Sequence, residues 1–97
     1  MATYIVLGNF TDQGIRAIKD TTKRAEAFKK LAKSMSVTVK DLYWTLGSHD
    51  IVSIIEAPDD SAITALGLAL GKSGNVRTQT LRAFSHADMS QILGKVT

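Results

Sequence analysis

Apolar positions along the chain switch from a period of two to a helical period and back, and the switches mark out six elements and a tail. The block from about Thr3 to Asn9 is short, apolar and closed by Gly8-Asn9, which predicts a strand. Thr11-Asp12-Gln13-Gly14 supplies capping side chains for a helix over about Gln13 to Met35. On that helix Ile18, Thr21, Ala25, Phe28 and Ala32 form one stripe, and Arg16, Lys19, Lys23, Lys30 and Lys33 lie opposite. Asp20-Thr21-Thr22 all have below-average helix propensity, so a kink or short break is expected there.

A second strand is expected from about Val37 to Leu46. Its alternation changes phase between Val37/Val39 and Leu42/Trp44/Leu46, which a bulge near Lys40-Asp41 would reconcile. Gly47-Ser48 fits a two-residue turn with glycine first. The run Asp50 to Ala57 is apolar in both phases, as in a strand covered on both sides. Pro58-Asp59-Asp60 opens a second helix, which runs to about Leu70 and ends at Gly71. Val76 to Phe84 is the fourth strand, and Ser85 begins a short C-terminal helix. The order strand, helix, strand, strand, helix, strand predicts an α+β ferredoxin-like βαββαβ sandwich: one four-stranded antiparallel sheet with two helices on one face. Analogy with that fold gives the sheet order 4-1-3-2.

Two helices leave the other sheet face open. Taking Ile5, Leu7, Ile51, Ile55, Leu81 and Ala83 as helix-facing leaves Tyr4, Val6, Val52, Ile54, Thr78, Thr80 and Phe84 on the open face, with Asp50, Glu56 and Arg82. Such a surface is too apolar for comfortable exposure. Packing it against a second copy would give a dimeric α+β barrel with the polar groups inside. The second helix, Ser61 to Gly71, carries no charge. Either its small residues allow close packing within the subunit, or it forms a second subunit contact and the assembly exceeds a dimer.

Composition narrows this picture further. Ninety-seven residues make one domain, and a chain this short buries only about 60–65% of its unfolded surface, so self-association would help it. With 44% hydrophobic and 22% charged residues, the balance is that of a globular chain. The absence of cysteine excludes disulfides, thiolate metal sites and a cysteine nucleophile, and fits a reducing cytoplasm. No apolar run is long enough to span a membrane. A net charge of +3 does not by itself argue for nucleic acid. The basic stripe of the first helix also has Asp20 four residues before Arg24 and Glu26 four before Lys30, the pattern of a solvated surface, with no interleaved aromatics.

Candidate chemistry is sparse. Asp50 and Arg82, placed on the open face at one end of the sheet, could frame a polar pocket at the barrel mouth, with a structural ion pair as the plainer reading. Tyr43 faces Val52 across the hairpin and would line the same face, with Trp44 under the helices. His49 is a candidate acid or base but sits beside a turn, and His86 lies at a helix start; neither has the spacing of a metal motif. Glu56 and Arg77 are expected to form an edge ion pair.

Three segments carry a family resemblance: Trp44 to Val52 with Glu56-Ala57-Pro58-Asp59-Asp60, Gly74 to Phe84, and Phe10 to Ile15. Together they resemble the GYD domain family over nearly the whole chain. In the family signature Gly47 and Asp50 match, and His49 stands where tyrosine is typical. The resemblance implies a dimeric α+β barrel. Relatives of that fold include cofactor-free monooxygenases, lactone isomerases, haem-dependent peroxidase-like enzymes and ligand-sensing domains, and fold alone does not choose among them. The expectation is a cytoplasmic homodimer or higher homo-oligomer binding a small molecule in the inter-subunit cavity near Tyr43, His49, Asp50 and Arg82, with no cofactor, metal, nucleic acid or membrane. A cofactor-free acid–base enzyme and a structural or regulatory assembly module are the alternatives.

Overall fold

The computed structural model describes residues 1–97. Its elements are β1 (Ala2–Phe10), α1 (Asp12–Arg16), a single 3₁₀ turn (Ile18–Asp20), α2 (Thr21–Ser34), β2 (Thr38–Trp44), β3 (Ile51–Ala57), α3 (Asp60–Lys72), β4 (Val76–Ala83) and α4 (His86–Leu93). The four strands form one antiparallel sheet in the order β2-β3-β1-β4, so the predicted ferredoxin-like α+β architecture is the one observed.

Local chemistry explains most of the boundaries. Thr11 caps α1 by accepting from the Gly14 N–H, Asp59 caps α3 through the Ala62 N–H, and Ser85 and Asp88 form a reciprocal capping box on α4. The predicted weak spot in the first helix is a true break, and it falls at Ala17–Asp20. There Arg24 donates to the carbonyls of Ala17 and Gly14, at 2.7 and 3.1 Å. Its expected pairing with Asp20 is replaced by these carbonyls at the end of the short helix, of which the Ala17 carbonyl also accepts from the Asp20 N–H. The predicted bulge in β2 is present between Val39 and Asp41. The hairpin register, Trp44 opposite Ile51 and Tyr43 opposite Val52, is the predicted one, but the two-residue Gly47-Ser48 turn does not form because no backbone bond joins Leu46 and His49. Its last backbone bond joins the Thr45 N–H to the Asp50 carbonyl, so Leu46–His49 form the loop, with Gly47 at φ +102°.

The core lies between the sheet and α2/α3: Tyr4, Val6, Phe28, Ala32, Val37, Ile55, Ala57, Ile63 and Leu66. Tyr4 stands opposite Ile55 and Arg82, and Val6 opposite Ser53 and Thr80. Directly paired residues share a face. The expected assignment for β3 is therefore correct, and those for β1 and β4 are inverted. Tyr4, Val6, Thr78, Thr80 and Arg82 lie on the helix side; Ile5, Leu7, Leu81 and Ala83 lie on the open side. Two packing demands set this phase. Gly8 provides the small position that the helix-side Val76 needs, since a Cβ there would sit 3.1 Å from Val76 Cγ1. The Tyr4 hydroxyl finds its partner, Asp60, only on the helix side.

Candidate functional site

The open face of the sheet is a candidate docking surface. Reading across the strands, Asp41, Ile54, Ile5 and Leu81 form one row, and Tyr43, Val52, Leu7 and Gln79 form the next. Thr38, Glu56, Thr3 and Ala83 form the row toward the end where β1 begins, and Asn9 and Arg77 lie at the other end. An apolar centre of Ile54, Ile5, Val52 and Leu7, widened by Leu81 and Tyr43, is thus ringed by polar side chains. That is the anatomy of an interface: a dry middle and a wet rim. Tyr43 is 57% exposed, far more than a tyrosine in ordinary packing.

The four residues expected to frame a pocket do not come together. Strands β3 and β4 both run antiparallel to β1, so they are parallel to each other and their starts share one end of the sheet. Asp50, preceding β3, is therefore near Arg77, whereas Arg82 is about 17 Å farther along β4 and on the opposite face. The same geometry separates Glu56 from Arg77. Glu56 instead lies 3.6 Å from Lys40 at the β2 bulge, and Arg77 donates to the Gly71 carbonyl.

At the hairpin end, His49 and Asp50 join the loop to β1. Asp50 Oδ2 accepts from the Phe10 N–H at 2.9 Å, and the Asp50 N–H donates to the Gly8 carbonyl. Asn9 Nδ2 donates to the Ser48 carbonyl at 2.7 Å, which leaves Asn9 Oδ1 to accept from His49 Nδ1 at 2.9 Å. His49 in this arrangement carries hydrogen on Nδ1. Asp50 is a backbone-capping aspartate, and the family position held by His49 serves as a loop clasp.

At the far end, Arg82 lies over the rings of Tyr4 and Phe84, 5.6 and 4.6 Å from their centroids, and donates to the Thr3 and Ala83 carbonyls. Beneath it the Tyr4 hydroxyl donates to Asp60 Oδ1 at 2.5 Å. This pair was not among the sequence-derived candidates, although a tyrosine in an apolar strand signals a hydroxyl in need of a partner. The bond to Asp60 and burial of the ring hold the Tyr4 phenol above its usual value of 10.0, with Arg82 opposing. A raised folded-state pKa adds stability that is complete below the unfolded value and is lost as pH rises through the folded one. Tyr4→Phe is therefore expected to melt at a lower temperature at neutral pH and to show a shallower alkaline decline. Melting curves between about pH 8 and pH 11 check this; coincident alkaline slopes would remove the dyad from the stability account.

No three of the His, Asp and Glu side chains gather as a metal-binding group, and no helix is long and apolar enough to cross a membrane. A Thermus thermophilus protein named "Glutamine synthetase and cystathionine beta-lyase binding protein" is 34% identical over 90 residues, which cover 92% of this chain and 95% of that protein. A family profile described as the GYD domain matches residues 4–93, the span that includes the capped α1 turn, the hairpin and β4, and the chain accordingly belongs to the GYD domain family.

Proposed function

We propose that this chain is a self-associating protein-binding module that docks on a metabolic enzyme, with glutamine synthetase the first candidate partner. The observation that carries this reading is the nearly end-to-end similarity to a relative named for binding two such enzymes. The open face supports the self-association: its apolar centre and polar rim suit a second copy, and face-to-face packing would close the dimeric barrel. A role beside metabolic enzymes also favours the cytoplasm. The separation of Asp50 from Arg82 takes away one of the two pairs, Asp50 with Arg82 or with Tyr43, on which acid–base catalysis was built.

A second reading keeps a small molecule between the sheets. Thr3, Glu56 and Gln79 stand on the open face beside the apolar rows, so a closed barrel would hold polar groups able to orient one. Native mass spectrometry of the purified protein, alone and mixed with glutamine synthetase from the same organism, separates the readings. The expected result is a homodimer or multiple of it that forms a discrete complex with the enzyme. Retained small-molecule mass with no enzyme complex would replace the first reading with the second.

A further inference from the structure

A void lies on the other side of the sheet, inside the subunit. It has a volume of about 50 Å³ and lies between β1/β3 and α2, under Phe28, with Val6, Gly8, Phe10, Ile51 and Val76 among its apolar walls. A larger groove of about 220 Å³ runs between α2 and α3 past Leu31 and Ala69. Arg24, Phe28, Leu70 and Val76 line both, so the two spaces adjoin across those side chains. Gly8 keeps the inner floor low, because a side chain there would fill the space toward Val76 and Ile51.

Two polar groups beside this apolar space keep hydrogen-bonding capacity that protein partners do not use. Ser53, the one buried polar residue of the chain, is 3% exposed and lines the inner void. No buried side-chain polar atom of the chain is left unpaired, so the Ser53 hydroxyl, which bonds no protein group, reaches accessible space at the void. An accessible hydroxyl there can donate to or accept from a bound molecule. Arg24 stands where the void meets the groove, over the Phe10 ring. Two of its N–H groups are used by carbonyls, and no carboxylate lies within ion-pair distance of it. A guanidinium has five donors, so donors remain for an anion.

We propose that this void and groove form a binding site for a small organic carboxylate with a compact apolar body and a hydrogen-bonding atom at its far end. The carboxylate meets Arg24, the body lies against Phe28, Leu70 and Val76, and the distal atom meets Ser53. The site is within one subunit and does not depend on the proposed enzyme partner or on the dimer.

The test is a titration of the intact protein with 6-hydroxyhexanoate, hexanoate and 1-hexanol. The single tryptophan is a built-in reporter, because Trp44 Nε1 donates to Thr21 Oγ1 and Thr21 lines the inner void. Amide shifts of Gly8, Ser53 and Leu70 provide the second readout. The expected order of affinity is 6-hydroxyhexanoate, then hexanoate, then hexanol, with a preference of about tenfold for hexanoate over hexanol. Arg24→Gln is expected to erase the hexanoate-over-hexanol preference, and Ser53→Ala the preference for the hydroxylated acid. Each variant changes one ratio and leaves the other, which a general loss of folding would not do. Saturable shifts confined to the open face, ratios untouched by these variants, or no saturation with any of the three probes would overturn the proposal.

Discussion

Ile5→Asp is expected to abolish the proposed self-association and leave a folded monomer of 10.5 kDa. Ile5 is at the centre of the open face, with Ile54 on one side and Leu81 on the other. In a face-to-face dimer an aspartate there has no cation within its row and would be buried unpaired, a cost of about 3–5 kcal/mol. That weakens association by more than about a hundredfold. In the isolated subunit the same side chain points to solvent. Its cost is then the low strand propensity of aspartate plus lost packing, on the order of 1 kcal/mol. Sedimentation velocity reads the mass and circular dichroism the fold. Leu46→Asp is the control, since Leu46 is fully exposed at the hairpin tip and belongs to none of the paired rows of the face. If Ile5→Asp sediments with the wild-type mass, the open face is not the self-association surface.

The sheet face and the pocket differ in how far the sequence disclosed them, and the reasons are physical. Element order, the break before α2, the β2 bulge and the caps at Thr11, Asp59 and Ser85 all follow from local propensities and side-chain-to-backbone bonds, which act over a few residues. β3 is also apolar in both phases, but Glu56 marks its open side, which puts Ile51, Ile55 and Ala57 inward. The phase of β1 has no such marker. Tyr4-Ile5-Val6-Leu7 is apolar at every position, so alternation carries no information there. Contacts from elements dozens of residues away decide it: Asp60 for the Tyr4 hydroxyl and Val76 for Gly8. Once β1 turns over, β4 must follow, because paired residues share a face, and Arg82 moves to the helix side with it. The expected Asp50–Arg82 pocket failed on topology alone. Two strands flanking a common antiparallel neighbour run the same way, so the start of β3 cannot meet the end of β4. Ser53 and Arg24 carry no binding signal in the sequence for a different reason. A lone serine in an apolar strand and an arginine on a basic helix are ordinary in sequence, and only the void beside them gives them meaning.

Gly14→Ala is expected to be the most damaging methyl group that can be added to this chain, and Gly67→Ala among the least. Gly14 is buried in the first turn of α1, which rests directly on the loop between α3 and β4. Thr11 bonds that loop twice: its N–H donates to the Asn75 carbonyl and its hydroxyl to the Gly74 carbonyl at 2.5 Å. Gln13 adds bonds to the Ser73 carbonyl and to Asn75 Oδ1. A Cβ on Gly14 would lie 2.1 Å from the Asn75 carbonyl oxygen and 3.0 Å from its carbon. Because the obstructing atoms are backbone, no rotamer change relieves the clash; the turn and the loop must part, and the bonds between them are lost together. Overpacking alone costs about 1–3 kcal/mol, and each broken bond adds roughly 1 kcal/mol. In a domain of this size that lowers the melting temperature by about 4–8 °C per kcal/mol. Gly67, by contrast, lies inside α3 with nothing within 4 Å of its added Cβ. There alanine removes the entropy cost of a mid-helix glycine and is expected to raise stability by about 0.5–1 kcal/mol. Thermal melts of the two variants should therefore move in opposite directions. A Gly14→Ala protein that melts with the wild type would mean that the α1 turn does not rest on the Ser73–Asn75 loop.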